Sequence, residues 1–144
     1  MNKKLKKVCI IGTVLGALTL GNGIQRVEAN TLFNLTENNS IQLNINTWRP
    51  LISGNLRGES LVITRSTNSN RIGARVSSIG PSQNVTSVWN EHGGNAGTTL
   101  RIGSQVHSPT INGGSRTGVS FTGNGRTRAT ATAAWVNLST SVSW

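Results

Sequence analysis

The chain has 144 residues, a formal net charge of +10, a single Cys, and neither Asp nor Tyr. One Cys excludes an internal disulfide and a multi-thiolate metal centre. Four Glu and two His stock general acid–base catalysis poorly, and the length suits one domain rather than two.

At the start, Lys3, Lys4, Lys6 and Lys7 precede a thirteen-residue apolar run from Val8 to Leu20, followed by Val27-Glu28-Ala29. A positive n-region, a short apolar core and small residues at −3 and −1 predict a secretory signal peptide over residues 1–29, cut between Ala29 and Asn30. The run is shorter than the roughly 20 apolar residues that cross a bilayer as a helix. Cys9 leaves with the leader, and no lipobox places a Cys at the cut. The mature domain, residues 30–144, then lacks Cys, Lys, Asp, Tyr and Met, and carries nine Arg against Glu37, Glu59 and Glu91, a net of +6. Without cross-links it must be held by burial and hydrogen-bond ladders, and nine planar guanidinium forks without one Lys suit phosphate or carboxylate recognition.

Short alternating runs punctuated by Gly, Asn, Ser and Thr predict an all-β fold, a small antiparallel β-sandwich or open barrel. Ile41, Leu43 and Ile45 alternate with Gln42, Asn44 and Asn46, predicting a strand with one buried face. Leu61-Val62-Ile63 is dense enough for a central strand. Ile72, Ala74 and Val76 face one way, with Arg71, Gly73 and Arg75 opposite. Val85 to Trp89, Leu100 to Val106 and Val119 to Phe121 predict three further strands. They are separated by the loops His92–Gly97 and Asn112–Ser115. Thr127 to Leu138 reads as the longest strand, with Ala129, Ala131, Ala133 and Trp135 on one side and Arg128, Thr130, Thr132 and Val136 on the other. A last strand, Ser139 to Trp144, sets Val142 and Trp144 on one face. Arg71-Ile72-Gly73-x-x-Val76-x-Ser78 recurs thirty residues later as Arg101-Ile102-Gly103-x-x-Val106-x-Ser108, as a duplicated strand-turn unit would.

Chemistry is sparse. Glu91 and His92 point to opposite faces of a strand, and neither they nor His107 fall at a metal-ligand spacing, so no catalytic residue, metal or cofactor is assigned. Arg71 with Arg75, and Arg126 with Arg128, form same-face stripes suited to phosphates, anionic polymers or lipid head groups. Arg116, in the Gly-rich stretch Gly113–Gly118, adds charge to a candidate backbone anion nest. Of the four Trp, strand positions predict Trp89 and Trp135 in the core, while Trp48, beside Arg49-Pro50, and Trp144 are expected to be exposed. Few aromatics are left to stack on bases, so nucleic acid is not expected as a partner. Polar strand faces argue against a membrane barrel.

Two resemblances bear on activity. The segment Trp135-Val136-Asn137-Leu138-Ser139 through Trp144 resembles the C-terminal part of lactococcin-type bacteriocins, which share a signal peptide and a Cys-free β-sandwich. The bacteriocins contain Tyr and Lys, which residues 30–144 lack. Phe33-Asn34-Leu35-Thr36 and Val142-Ser143-Trp144 are similar to an uncharacterised family of exported Bacillus and Clostridium proteins. The first resemblance implies toxicity towards Gram-positive cells, directed at a cell-wall precursor. The expectation is therefore a secreted or wall-associated Gram-positive protein that binds an anionic envelope polymer or lipid head group through Arg71, Arg75, Arg126, Arg128 and Arg116. The alternatives are a passive adhesion module using Trp48, and, more distantly, an exported hydrolase. Edge strands without Lys leave a homodimer by strand pairing open.

Overall fold

A computed structural model describes residues 8–12, 28–50, 52–115 and 117–144. Eleven strands appear among them: β1 (Val8–Gly12), β2 (Glu28–Glu37), β3 (Ile41–Pro50), β4 (Leu56–Thr64), β5 (Arg71–Ile79), β6 (Asn84–Thr86), β7 (Asn90–Gly93), β8 (Gln105–His107), β9 (Ile111–Gly114), β10 (Ser120–Arg128) and β11 (Val136–Ser143). Every pairing is antiparallel. One sheet runs β1-β2-β3-β4, with β8 and β9 sharing the far edge of β4; the other runs β11-β10-β5, with β6 and β7 sharing the far edge of β5. β10 lies across β3 and β4, β11 across β2 and β3, and β5 across β4, making an all-β sandwich of two open sheets. No helix among the described residues is long and apolar enough to cross a membrane.

Alternation builds the core. Ile41, Leu43 and Ile45 from β3, Leu56 and Val62 from β4, and Ile72, Ala74 and Val76 from β5 are all fully buried. They divide into two clusters, one joined by Leu100 and Val106, the other by Ile111, Val119, Phe121 and Val142. Among the residues whose side chains are described, neither cluster draws on one before Leu32. Between them the inward positions of β10 are Gly123 and Gly125, because the sheets approach too closely there for side chains. A Cβ on Gly123 would stand 2.7 Å from Ser60 Oγ, and one on Gly125 would stand 2.9 Å from Val62 Cγ2.

Several expectations are corrected. Thr127–Leu138 is not one strand: β10 ends at Arg128 and β11 begins at Val136. A turn between them is closed by the Ala133 N–H donating to Thr130 Oγ1 at 3.0 Å. Leu100–Val106 is mostly a turn in which Ser104 N–H donates to Arg101 O and Gly103 takes φ +86°, and only Gln105–His107 pairs as a strand. The two copies of the thirty-residue repeat are thus not equivalent, one being strand β5 and the other a turn leading to an edge strand. Residues 112–114, expected in a loop, belong to β9. Trp48, expected in an exposed turn, lies inside β3 between Thr31 and Arg57 and is 2% exposed. The expected leader, residues 1–29, is not among these corrections: most of it lies outside the described residues, while Val8–Gly12, the first five residues of its apolar run, pair along β2, and Ala29 and Asn30 fall within β2.

Candidate functional site: an arginine–tryptophan face

On the outer face of the five-stranded sheet, β5 presents Arg71, Gly73, Arg75 and Ser77, and β10 presents Thr122, Asn124, Arg126 and Arg128. The antiparallel register sets Arg128 opposite Arg71, Arg126 opposite Gly73, and Asn124 opposite Arg75. Two stripes far apart in sequence therefore merge into one patch of four guanidinium groups. Arg116, the fifth anion-binding candidate, lies outside the described residues.

Two tryptophans expected in the core lie instead among these arginines. Arg75 and Arg126 stand over the Trp89 ring at 4.7 and 4.0 Å, and Arg126 and Arg128 over the Trp135 ring at 4.3 and 4.8 Å. The order Arg75–Trp89–Arg126–Trp135–Arg128 is a ladder of cation–π contacts, each worth about 0.5–2 kcal/mol according to its exposure. Gly73, bare of a side chain, leaves room below for Arg126.

The correction for Trp89 has a definite cause. β6 pairs Val85 with the inward-facing Ser78, whereas β7 pairs Glu91 with the outward-facing Gly73. Strict alternation would send positions 85 and 91 to the same face, so one residue has been inserted between them. Ser87 marks the break: its N–H donates to Val76 O at 2.9 Å, and its Oγ accepts from Val76 N–H at 3.1 Å. Such a bulge re-aims the residues beyond it, and here it turns Trp89 and Glu91 outward. Trp135 arrives by a different route, since the turn after Arg128 folds it back beside that residue.

Glu91 is the hub. It pairs with Arg126 and stands 3.1 Å from Arg71 Nε, with its side chain 19% exposed. Among the described residues Arg75 and Arg128 make no ion pair. Their Nε atoms are buried without a hydrogen-bond partner, while their terminal nitrogens, bonded to nothing, stay open to solvent. Four guanidinium groups against one carboxylate leave this face with three net positive charges. The strand ends behind it are fixed by Asn70, whose N–H donates to Arg128 O and whose Nδ2 donates to Asn95 O and Thr98 O, and by Thr127 Oγ1 bonded to Ser69 Oγ.

The remaining candidates lie elsewhere. Trp144 is half-buried, packed on the second core cluster, with its indole Nε1 donating to Thr47 Oγ1 at 2.8 Å and Arg49 over its ring. It braces the sandwich and is not an exposed aromatic, because its strand position faces the other sheet. His92 lies on β7 and His107 on β8, in different sheets. No group of three His, Cys, Asp or Glu side chains converges among the described residues. In the Gly-rich loops, Gly94 N–H donates to Asn70 O and Gly114 N–H to Asn112 Oδ1, so those two amides are already engaged.

Sequence reading missed Glu91, Trp89 and Trp135 as parts of the site. Fold and site together define a class, an antiparallel sandwich with a preorganised cationic–aromatic face. Comparison with protein-family models, with curated proteins and with solved structures finds no match to the chain.

Proposed function

We propose that the chain is an exported β-sandwich that binds an anionic polymer or lipid head group of a bacterial envelope through the outer face of its five-stranded sheet. Bacteriocin-like inhibition is the activity that this binding would serve. The observation that carries the reading is the ladder itself. Indole rings hold the guanidinium groups in place, so less side-chain entropy is lost when an anion binds than for a mobile cation. Arg75 and Arg128, free of carboxylates, are the primary contacts, and Arg71 and Arg126 add field and rigidity. Cutting after Ala29 would remove β1 and two residues of β2 and would leave in place the core residues described from Leu32 onward. Trp48, the contact residue of the passive adhesion alternative, is buried and does not serve as its surface contact.

The test is binding to immobilised lipoteichoic acid at low salt. Arg75→Gln with Arg128→Gln should weaken binding by at least tenfold while the thermal midpoint moves by only a few degrees. Undiminished binding by the folded double variant would refute the assignment.

A further inference from the structure

Beside the ladder, on the same face, is a groove of about 240 Å³ lined by Arg75, Trp89, Asn124, Asn137, Leu138 and Ser139. It falls below the few hundred Å³ typical of pockets for drug-sized ligands, and so suits one monosaccharide-sized unit. Across β10 and β11 the outward polar pairs are closed in two rows: Ser120 with Ser143 at 3.4 Å, and Thr122 with Ser141 at 3.0 Å. The next row, Asn124 opposite Ser139, makes no such bond, and neither does Asn137, opposite Arg126. Two primary amides and a hydroxyl therefore converge unspent around a small apolar floor at Leu138. Each amide both donates and accepts, which is what vicinal hydroxyl groups require. One guanidinium without a carboxylate partner, Arg75, stands at the same groove, and the Trp89 indole N–H has no acceptor among the described residues.

We infer that this groove is a subsite for a polyhydroxylated unit carrying an acid group, the hydroxyls bonding to Asn124, Asn137 and Ser139 and the acid to Arg75. The inference rests on the envelope-binding reading and specifies what is recognised along the polymer. A plain polyanion site would need charge alone, and the unspent amides would have no purpose in it. The acid can be the carboxylate of a uronic sugar or the phosphate of a polyol-phosphate repeat; the chemistry recognised is the same.

The experiment is a titration of the full-length ¹⁵N-labelled protein, observed at the side-chain amides of Asn124 and Asn137. The probes are methyl glucuronide, glycerol 1-phosphate, methyl glucoside and inorganic phosphate. Saturable shifts with the glucuronide or with glycerol phosphate, at concentrations where glucoside and inorganic phosphate have little effect, are expected, and the stronger of the two identifies the source. Asn124→Ala and Asn137→Ala should each weaken that binding about five- to tenfold, the worth of a ligand hydrogen bond. Equal shifts with inorganic phosphate would overturn the role of the hydroxyls, equal shifts with glucoside would overturn that of the acid, and no shift would overturn the subsite. Binding of lipoteichoic acid by the same sample separates failure of the subsite from failure of the envelope reading.

Discussion

Glu91 tempers the cationic face and braces it at once. Its carboxylate neutralises part of the field of Arg71 and Arg126, and it holds Arg126 in place between Trp89 and Trp135. Replacing it with Gln should move stability and binding in opposite directions. The pairs are only partly screened, so the loss should fall between that of an exposed pair and that of a buried one, about 1–2 kcal/mol by denaturant unfolding. Lipoteichoic acid affinity should rise, because two guanidinium groups lose their carboxylate. A fall in both quantities would mean that Glu91 acts only as scaffold. Gly123 is a second decisive residue. A Val there would drive into Ser60 and Ile45, whose Cβ stands 3.1 Å from the added atom, and should cost about 1–3 kcal/mol. A Gly123→Val protein with an unchanged unfolding midpoint would disprove the close approach of the sheets. The chemistry of these residues was visible in sequence only in part. Arg71 and Arg75, and Arg126 and Arg128, announce a stripe by their spacing, but a lone Glu beside a His gives no sign that it will meet two arginines from different strands.

Among the elements, the break between β6 and β7 decides most about the site. Ser87 substitutes its hydroxyl for a ladder acceptor, and without it the Val76 N–H loses a partner. Ser87→Ala should cost about 1 kcal/mol and speed hydrogen exchange at the Val76 amide. Unchanged exchange there would show that the bulge is held by other contacts. The alternation of Ile41, Leu43 and Ile45, and of Ile72, Ala74 and Val76, made β3 and β5 readable, because strict period two with one apolar face is the mark of a half-buried strand and fits no helix. Trp89 was misplaced for the converse reason. A bulge adds one residue without a glycine or proline to mark it, and every later side chain changes face. The Thr127–Leu138 error is similar: alternating Ala and Thr look like a strand, and the turn depends on a single Thr130 hydroxyl. Trp48 failed through its neighbour, since Pro50 suggested a turn where the strand in fact runs to its end.

For the molecule as a whole, the core and the proposed binding array lie on opposite faces of the five-stranded sheet. Inward, its glycines and β-branched residues meet β3 and β4; outward, the ladder stands over the strands in place of another layer. Trp144 closes one end by joining β11 to Thr47 of β3. Trp144→Ala should therefore lower stability by about 2–3 kcal/mol, less than for a fully buried Trp, and leave lipoteichoic acid binding within a factor of two. Loss of binding in the folded variant would place Trp144 in the binding surface instead. The all-β class was legible because Gly, Asn, Ser and Thr recur at strand-turn intervals. The joining of two arginine stripes into one face was not, because it depends on β5 and β10 pairing across the forty residues between Ile79 and Ser120, which no local pattern encodes.

If the arginine–tryptophan face binds envelope anions by charge held in a fixed array, its affinity must fall as salt rises. The decisive experiment is co-sedimentation of the purified protein with Gram-positive envelopes across a salt series, beside a variant in which Arg71, Arg75, Arg126 and Arg128 are Gln. Three net charges predict a log–log slope of about −2 to −3 for the natural chain, by analogy with counterion release from other polyanions, and a nearly flat, weak response for the variant. Binding that ignores salt, or that survives in the folded variant, would show that the array is not what the envelope recognises.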